Sequence, residues 1–91
     1  MAGRPNLINA DLRRNELRGE NLSSALLIAA NLSKMDLSGI DFLGADLRDT
    51  DITGSNLRNA VYLTQFQINS AKGDGKTVLP PTLQRPLNWL K

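Results

Sequence analysis

The serines and the clustered carboxylates are the residues of this chain that could carry covalent or acid–base chemistry, and each lacks a companion. Ser23, Ser24, Ser33, Ser38 and Ser55 have no histidine to take their proton, because the 91 residues contain none, and no Ser-x-x-Lys falls on an expected helix. Without histidine the commonest general base and the commonest transition-metal ligand are also missing. Without cysteine there is no disulfide framework, thiolate metal site or thiol nucleophile. Asp46, Asp49 and Asp51 are close in sequence, but Asp46 and Asp51 belong to different faces of the pattern described below, with Arg48 between them. Paired carboxylates do acid–base work in a water-excluding cleft, and a solvated charged wall offers none. Gly39 and Gly44 do not form a phosphate loop, and Gly73-Asp74-Gly75-Lys76 lacks its spacing. The residues predict no enzyme, no metal and no cofactor.

Charge and hydropathy narrow the remaining classes. Eleven Lys and Arg against nine Asp and Glu give a net charge of +2. Residues 6–63 hold six bases against eight acids, whereas the tail from Thr64 holds four bases against Asp74 alone. A nearly balanced body with a mildly basic tail does not predict direct nucleic-acid binding, which wants a concentrated basic stripe. No apolar run approaches the roughly 18 residues of a membrane span, and Met1-Ala2-Gly3-Arg4-Pro5 lacks the apolar centre of a secretory signal. The expectation is a soluble, cytoplasmic chain, or a domain of a longer one, of a size that is marginal without help.

The elements that position these residues follow from one period. A large apolar residue recurs every five positions: Leu7, Leu12, Leu17, Leu22, Leu27, Leu32, Leu37, Phe42, Leu47, Ile52 and Leu57, with Tyr62 a weaker continuation. A mostly small or apolar residue lies two places before each, and Asn or Asp nearly always stands between. A step of five turns about 140° on a helix, which would scatter the leucines around it. Five is odd, so a flat strand would send alternate leucines to opposite faces. The leucines share one interior only if the chain turns a corner once per five residues. Gly19, Gly39, Gly44 and Gly54 occur at the corner side, where turns often need positive φ. Asn and Asp suit such turns and can bond neighbouring backbone.

The tandem A(D/N)LXX units, as in Ala10-Asp11-Leu12-Arg13-Arg14, Ala30-Asn31-Leu32-Ser33-Lys34 and Ala45-Asp46-Leu47-Arg48-Asp49, resemble the pentapeptide-repeat family over about residues 5–64. The resemblance implies an all-β solenoid: a right-handed quadrilateral β-helix with four pentapeptides per coil, hence about three coils here. Residues twenty apart then stack, giving the ladders Leu7-Leu27-Leu47, Leu12-Leu32-Ile52, Leu17-Leu37-Leu57 and Leu22-Phe42-Tyr62. At about 4.8 Å per layer the body is about 14 Å tall. Asn15 and Glu20 occupy inward positions of the first coil, where an open end would let them reach water or meet a partner. Pro5, with no N–H to donate, suits a first edge segment.

Residues 1–5 read as a leader, 6–63 as the solenoid and 64–91 as a C-terminal helix with a proline-rich capping tail. Thr64-Gln65-Phe66-Gln67 has the form of a capping box, predicting a helix to about Lys72 that Gly73 ends. Pro80-Pro81 and Pro86 are interleaved with Leu79, Leu83, Leu87, Trp89 and Leu90, which predicts a lid over a last coil whose edge would otherwise be exposed.

Outward apolar residues mark the candidate interaction patch: Ile8, Leu26 and Ile28 on the first wall, Leu43 and Leu63 on the adjacent fourth. The tail, a second copy of the chain in a homodimer, or a foreign protein could cover it. The expected function is a non-catalytic protein-interaction or scaffold module. The alternative, implied by the quinolone-resistance members of the family, is a DNA-mimic modulator of DNA gyrase. That role needs long columns of outward carboxylates, and here they are mixed: Asp11-Asn31-Asp51, Glu16-Asp36-Asn56 and Asn21-Asp41-Val61.

Overall fold

The computed structural model describes residues 3–90. Each pentapeptide makes the corner that its period demands. The carbonyl of the central apolar residue accepts from the N–H three residues on, as in Ala10 N–H to Leu7 O at 3.0 Å and Ala25 N–H to Leu22 O at 3.0 Å, except at Leu32, where the Ser55 hydroxyl stands between the two groups. The third residue of these turns takes positive φ, at Gly19, Gly39, Gly44 and Gly54 but also at Asn9, Ser24, Ala29, Lys34 and Asp49. Left-handed backbone is costly for alanine or lysine. Here it aims the N–H at the next layer: Ala29 donates to Arg48 O at 3.0 Å and Lys34 to Thr53 O at 2.8 Å. The repeated Asn and Asp close the local geometry from outside. Their Oδ1 accepts the backbone N–H two residues on at Asn6, Asp11, Asn21, Asn31, Asp36, Asp41, Asp46, Asp51 and Asn56.

Parallel bridges link positions twenty apart in four columns: Asn6–Leu26–Asp46, Asp11–Asn31–Asp51, Asp36–Asn56 and Asn21–Asp41–Val61. Each bridge stands alone, and no strand extends beyond one among the described residues. The expected β architecture is therefore a ladder of single rungs, because a corner follows within two residues of each. Leu27, Leu32, Leu37, Phe42, Leu47, Ile52 and Leu57 fill the interior and are fully or almost fully buried. In the first layer Leu7, Leu12 and Leu17 are half-buried, and Asn15 and Glu20 are exposed, as an open end requires. The third column has no rung from Glu16 to Asp36 among the described residues. Of the expected leader, Met1 and Ala2 lie outside the described residues; Pro5 joins the ladder by accepting from Leu26 N–H at 2.8 Å.

Two polar side chains sit inward among the small positions. Thr50 Oγ1 donates to Leu27 O at 2.7 Å. Ser55 Oγ donates to Leu32 O and accepts from Met35 N–H at 3.0 Å. Ser55→Ala therefore strands a buried donor and a buried acceptor, and should cost about 2 kcal/mol. Ser38→Ala removes a surface hydroxyl bonded to Asp36 and should stay within about 0.5 kcal/mol. Urea midpoints of the two variants check the difference.

The fourth ladder corrects one expectation. Tyr62 is 65% exposed with φ 60°, not stacked on Phe42. The chain leaves the pattern there to enter α1, Gln65–Ser70. The capping box forms in both directions between Thr64 and Gln67. The helix stops at Ser70, short of Lys72, with an extended C-cap at Ala71. Gly73 does not end it. Lys72 is drawn back to the wall instead, donating to Thr50 O at 2.8 Å and accepting from Ile52 N–H at 2.8 Å.

The tail is accordingly more than a lid. It lays a partial further layer: Lys72 bridges Asp51, Val78 bridges Asn56, and Thr77 Oγ1 donates to Ile52 O at 3.0 Å. Ile68 is fully buried in the core. Residues 79–90 then cross the end, where Leu79 and Leu83 are half-buried against the core and Trp89, on the 3₁₀ helix Leu87–Leu90, is buried. Gln65 ties α1 to this segment, donating to Gln84 O at 2.8 Å and accepting from Gln84 N–H at 2.9 Å.

Candidate interaction site

The fold brings Ile8, Leu26 and Ile28 together on the first wall. Leu26 is the middle rung between Asn6 and Asp46, and Ile28 lies above Ile8 through the bond from Asn9 N–H to Ile28 O at 2.9 Å. Ile8 is 41% exposed, and Leu26 and Ile28 are half-buried. Leu26 stands where the neighbouring units carry an Asn or Asp acceptor, so this turn forgoes the outward bond the others make. Leu43 is 55% exposed on the fourth wall, whereas Leu63 is half-buried and packs against the core. The patch is not continuous across the corner. The Arg4 guanidinium runs over it, donating to Ser24 O at 2.6 Å and Gly44 O at 2.9 Å.

Sequence reasoning missed Arg4 and Phe66 as surface features. Phe66 is 78% exposed on α1. Gln67 and Ile68 face inward from a six-residue helix, which leaves Phe66 outside, and nothing in the sequence announces that a glutamine is buried ahead of the phenylalanine. Arg4 precedes the repeat, and nothing in the periodicity announces its reach of two layers.

Above the first wall, where α1 diverts the chain, a groove of about 510 Å³ opens. Arg4, Leu47, Arg48, Phe66 and Gln67 are among its lining residues. Asp46 and Arg48 pair at its edge at 2.7 Å. The Gln67 amide donates to Phe42 O and Ala45 O, each at 2.9 Å, and so closes acceptors the tail would otherwise leave open.

Part of the surface charge is paired along the walls. Asp11 is drawn down to about 2, first by the hydrogen bond from the Arg13 side chain and then by the Arg13 backbone N–H. The Arg18 side chain lowers Glu16, the Ser38 hydroxyl lowers Asp36, and the Arg48 side chain lowers Asp46. For Asp74, burial pushes upward but is outweighed by hydrogen bonds from Gly54 N–H, Lys76 N–H and Thr77. Carboxylates lowered in the fold add stability that is present above their unfolded values and is lost as pH falls through the folded ones. The urea midpoint should be flat above roughly pH 5 and fall between roughly pH 4 and 2. Added salt should flatten the exposed contribution. A midpoint that rises on acidification would contradict this assignment.

The residues considered for catalysis are placed apart. Ser55 is buried with its hydroxyl committed to backbone, and the Ser33 hydroxyl donates to Asn31. Asp46 and Asp51 lie on different columns. Among the described residues no group of three or more Asp and Glu could hold a metal ion, and no helix is long and apolar enough to cross a membrane. What the first wall presents is an apolar strip, an ion pair and a groove lined by Arg4, Arg48 and Phe66 among others.

The chain matches the family described as pentapeptide repeats (8 copies) over residues 6–42 and 25–61. A search of curated proteins returns no match. Among solved structures the chain is similar to HetL, described as a pentapeptide repeat protein involved in heterocyst differentiation regulation, from the cyanobacterium Nostoc sp. strain PCC 7120. The identity is 24% and the TM-score 0.26, over 92% of this chain and 44% of the HetL chain. The chain thus spans less than half of that relative, and the comparison adds nothing to the family match.

Proposed function

The chain belongs to the pentapeptide-repeat family, and from that premise we propose that it is a short right-handed quadrilateral β-helix of about three coils serving as a non-catalytic protein-interaction module. The observation that carries the reading is Leu26. Its unit gives up the outward Asn or Asp that stabilises the neighbouring turns, a loss of about 1 kcal/mol, and gains a side chain that stays half-buried beside Ile8 and Ile28. A folding requirement does not ask for that exchange; a protein surface does. Leu43, Val61 and Tyr62 form a separate exposed apolar surface beyond Arg4 on the neighbouring wall.

Gyrase mimicry is the weaker reading. Several of the carboxylates that would imitate a phosphate backbone are paired in place, Asp11 with Arg13 and Asp46 with Arg48, each at 2.7 Å. Purified gyrase should keep its supercoiling activity in the presence of the protein.

The experiment is capture from source-cell lysate with the wild type and with Leu26→Asp/Ile28→Arg, alongside the light-scattering mass of each. The wild type should retain a protein that the double variant loses, or should be a dimer that the double variant splits, with unchanged melting. Identical captured sets and identical masses would reject the module.

A further inference from the structure

Among the described residues the backbone ladder is open at the Glu16–Asp36 rung near its first layer and again above Asp46, and the second of these openings lies in the groove. On the first wall the N–H of each central leucine donates upward: Leu7 to Leu26 O at 2.8 Å and Leu27 to Asp46 O at 3.0 Å. In the third layer the tail supplies acceptors to the next two walls, Lys72 O to Ile52 N–H and Val78 O to Leu57 N–H. Leu47 N–H has no acceptor among the described residues. The cause is α1, whose helical backbone over Gln65–Ser70 makes no rung above Asp46. The Gln67 amide fills the acceptor half of that missing rung by bonding Ala45 O, and the donor half stays open. Leu47 is among the residues lining the groove, and its side chain is in the core.

Three further features surround this donor. Arg48 pairs with Asp46, which leaves the Arg4 guanidinium as the unmatched charge of the groove, so the groove favours an acidic occupant over a basic one. Phe66 offers an exposed aromatic face at the rim. Below the groove, Ile28 and Leu26 continue the apolar strip of the first wall.

We propose that the groove binds an extended acidic peptide segment of a partner protein. A main-chain carbonyl of the peptide accepts from Leu47 N–H and completes the rung, as strand addition does at a sheet edge. A carboxylate lies by Arg4 and Arg48, and a neighbouring apolar side chain packs on Phe66. A vacancy in a β-ladder is matched by peptide backbone, which is why a peptide rather than a small acid is the occupant. The proposal rests on the interaction reading above and names the chemistry of its partner.

Two measurements test it. In the free protein, amide hydrogen exchange should be faster at Leu47 than at Leu27, Ile52 and Leu57; equal protection would overturn the proposal. A random-peptide phage library selected on the wild type, with counter-selection on Phe66→Ala, should enrich peptides pairing Asp or Glu with an aliphatic or aromatic residue. Synthetic versions should slow exchange at Leu47, and their Kd should weaken about tenfold with Phe66→Ala and with Arg48→Gln. Both residues are exposed, so both variants fold. Enrichment of basic peptides, equal binding by the variants, or no enrichment would each overturn it. If Phe66→Ala keeps the lysate partner that Leu26→Asp/Ile28→Arg loses, the groove fails and the module stands.

Discussion

Removing residues 64–91 will abolish cooperative folding of the repeat body. The deletion takes away Ile68, Ala71 and Trp89, which are buried, and Leu79 and Leu83, which pack against the core. It also uncovers the layer of Leu47, Ile52 and Leu57. Each large side chain exposed or lost is worth about 1.5–3 kcal/mol, and the whole stability of a domain this size is about 5–15 kcal/mol. The backbone loses as well, since Asp49, Ile52 and Leu57 donate to Ser70, Lys72 and Val78. An edge with open donors and acceptors above an apolar layer is a template for aggregation. The truncated chain should give no cooperative thermal transition by circular dichroism and should scatter as aggregates. A soluble monomer with a sharp transition would show that the body closes itself and that the tail is an appendage.

Gly73→Ala should destabilise the protein by about 2 kcal/mol through one contact. A Cβ on Gly73 would stand 2.5 Å from Cζ3 of Trp89 and 2.6 Å from two more ring atoms. Trp89 is held between this backbone and the core, so the ring cannot yield without uncovering the end. Trp89→Ala alone should cost about 3 kcal/mol by emptying the site. In that background the penalty at residue 73 should vanish or reverse, because Gly73 is not at positive φ and alanine there restricts the unfolded chain by about 0.4–1 kcal/mol. The coupling of the double-mutant cycle should be about 2 kcal/mol, a shift of several degrees in Tm. If Gly73→Ala costs the same in both backgrounds, the tryptophan does not sit on Gly73 and the cap is organised differently.

Much of the body was legible from the period alone. A leucine every fifth residue forces a corner per repeat, and the structure places those leucines on one axis with positive φ at the corners. Asn and Asp were expected to bond neighbouring backbone, and they do so at nearly every repeat. The capping box at Thr64 was equally local and equally readable. The end of that helix was not. Helix propensity and a glycine suggested a stop near Gly73, but hydrogen bonds offered by Thr50 and Ile52 take Lys72 first. Tyr62 failed for the same kind of reason: the period asks for it inside, and the exit into α1 turns it out.

The candidate site divides along the same line. Ile8, Leu26, Ile28, Leu43 and Leu63 stood out by breaking a pattern, and a pattern is a property of the sequence. Whether they form one surface depended on Arg4, which crosses the corner to carbonyls 20 and 40 residues away. The open Leu47 N–H is likewise invisible in the sequence, since Leu47 is an ordinary repeat leucine. Among the described residues it is left without an acceptor by where a helix far along the chain sits. The sequence by itself determined the corner, the inward aliphatic and the outward acceptor, because each is decided within five residues by local sterics and hydrogen bonding. Tertiary structure alone decided how the stack is closed and which groups stay open at its edge, because those outcomes depend on which of several distant acceptors a segment reaches first.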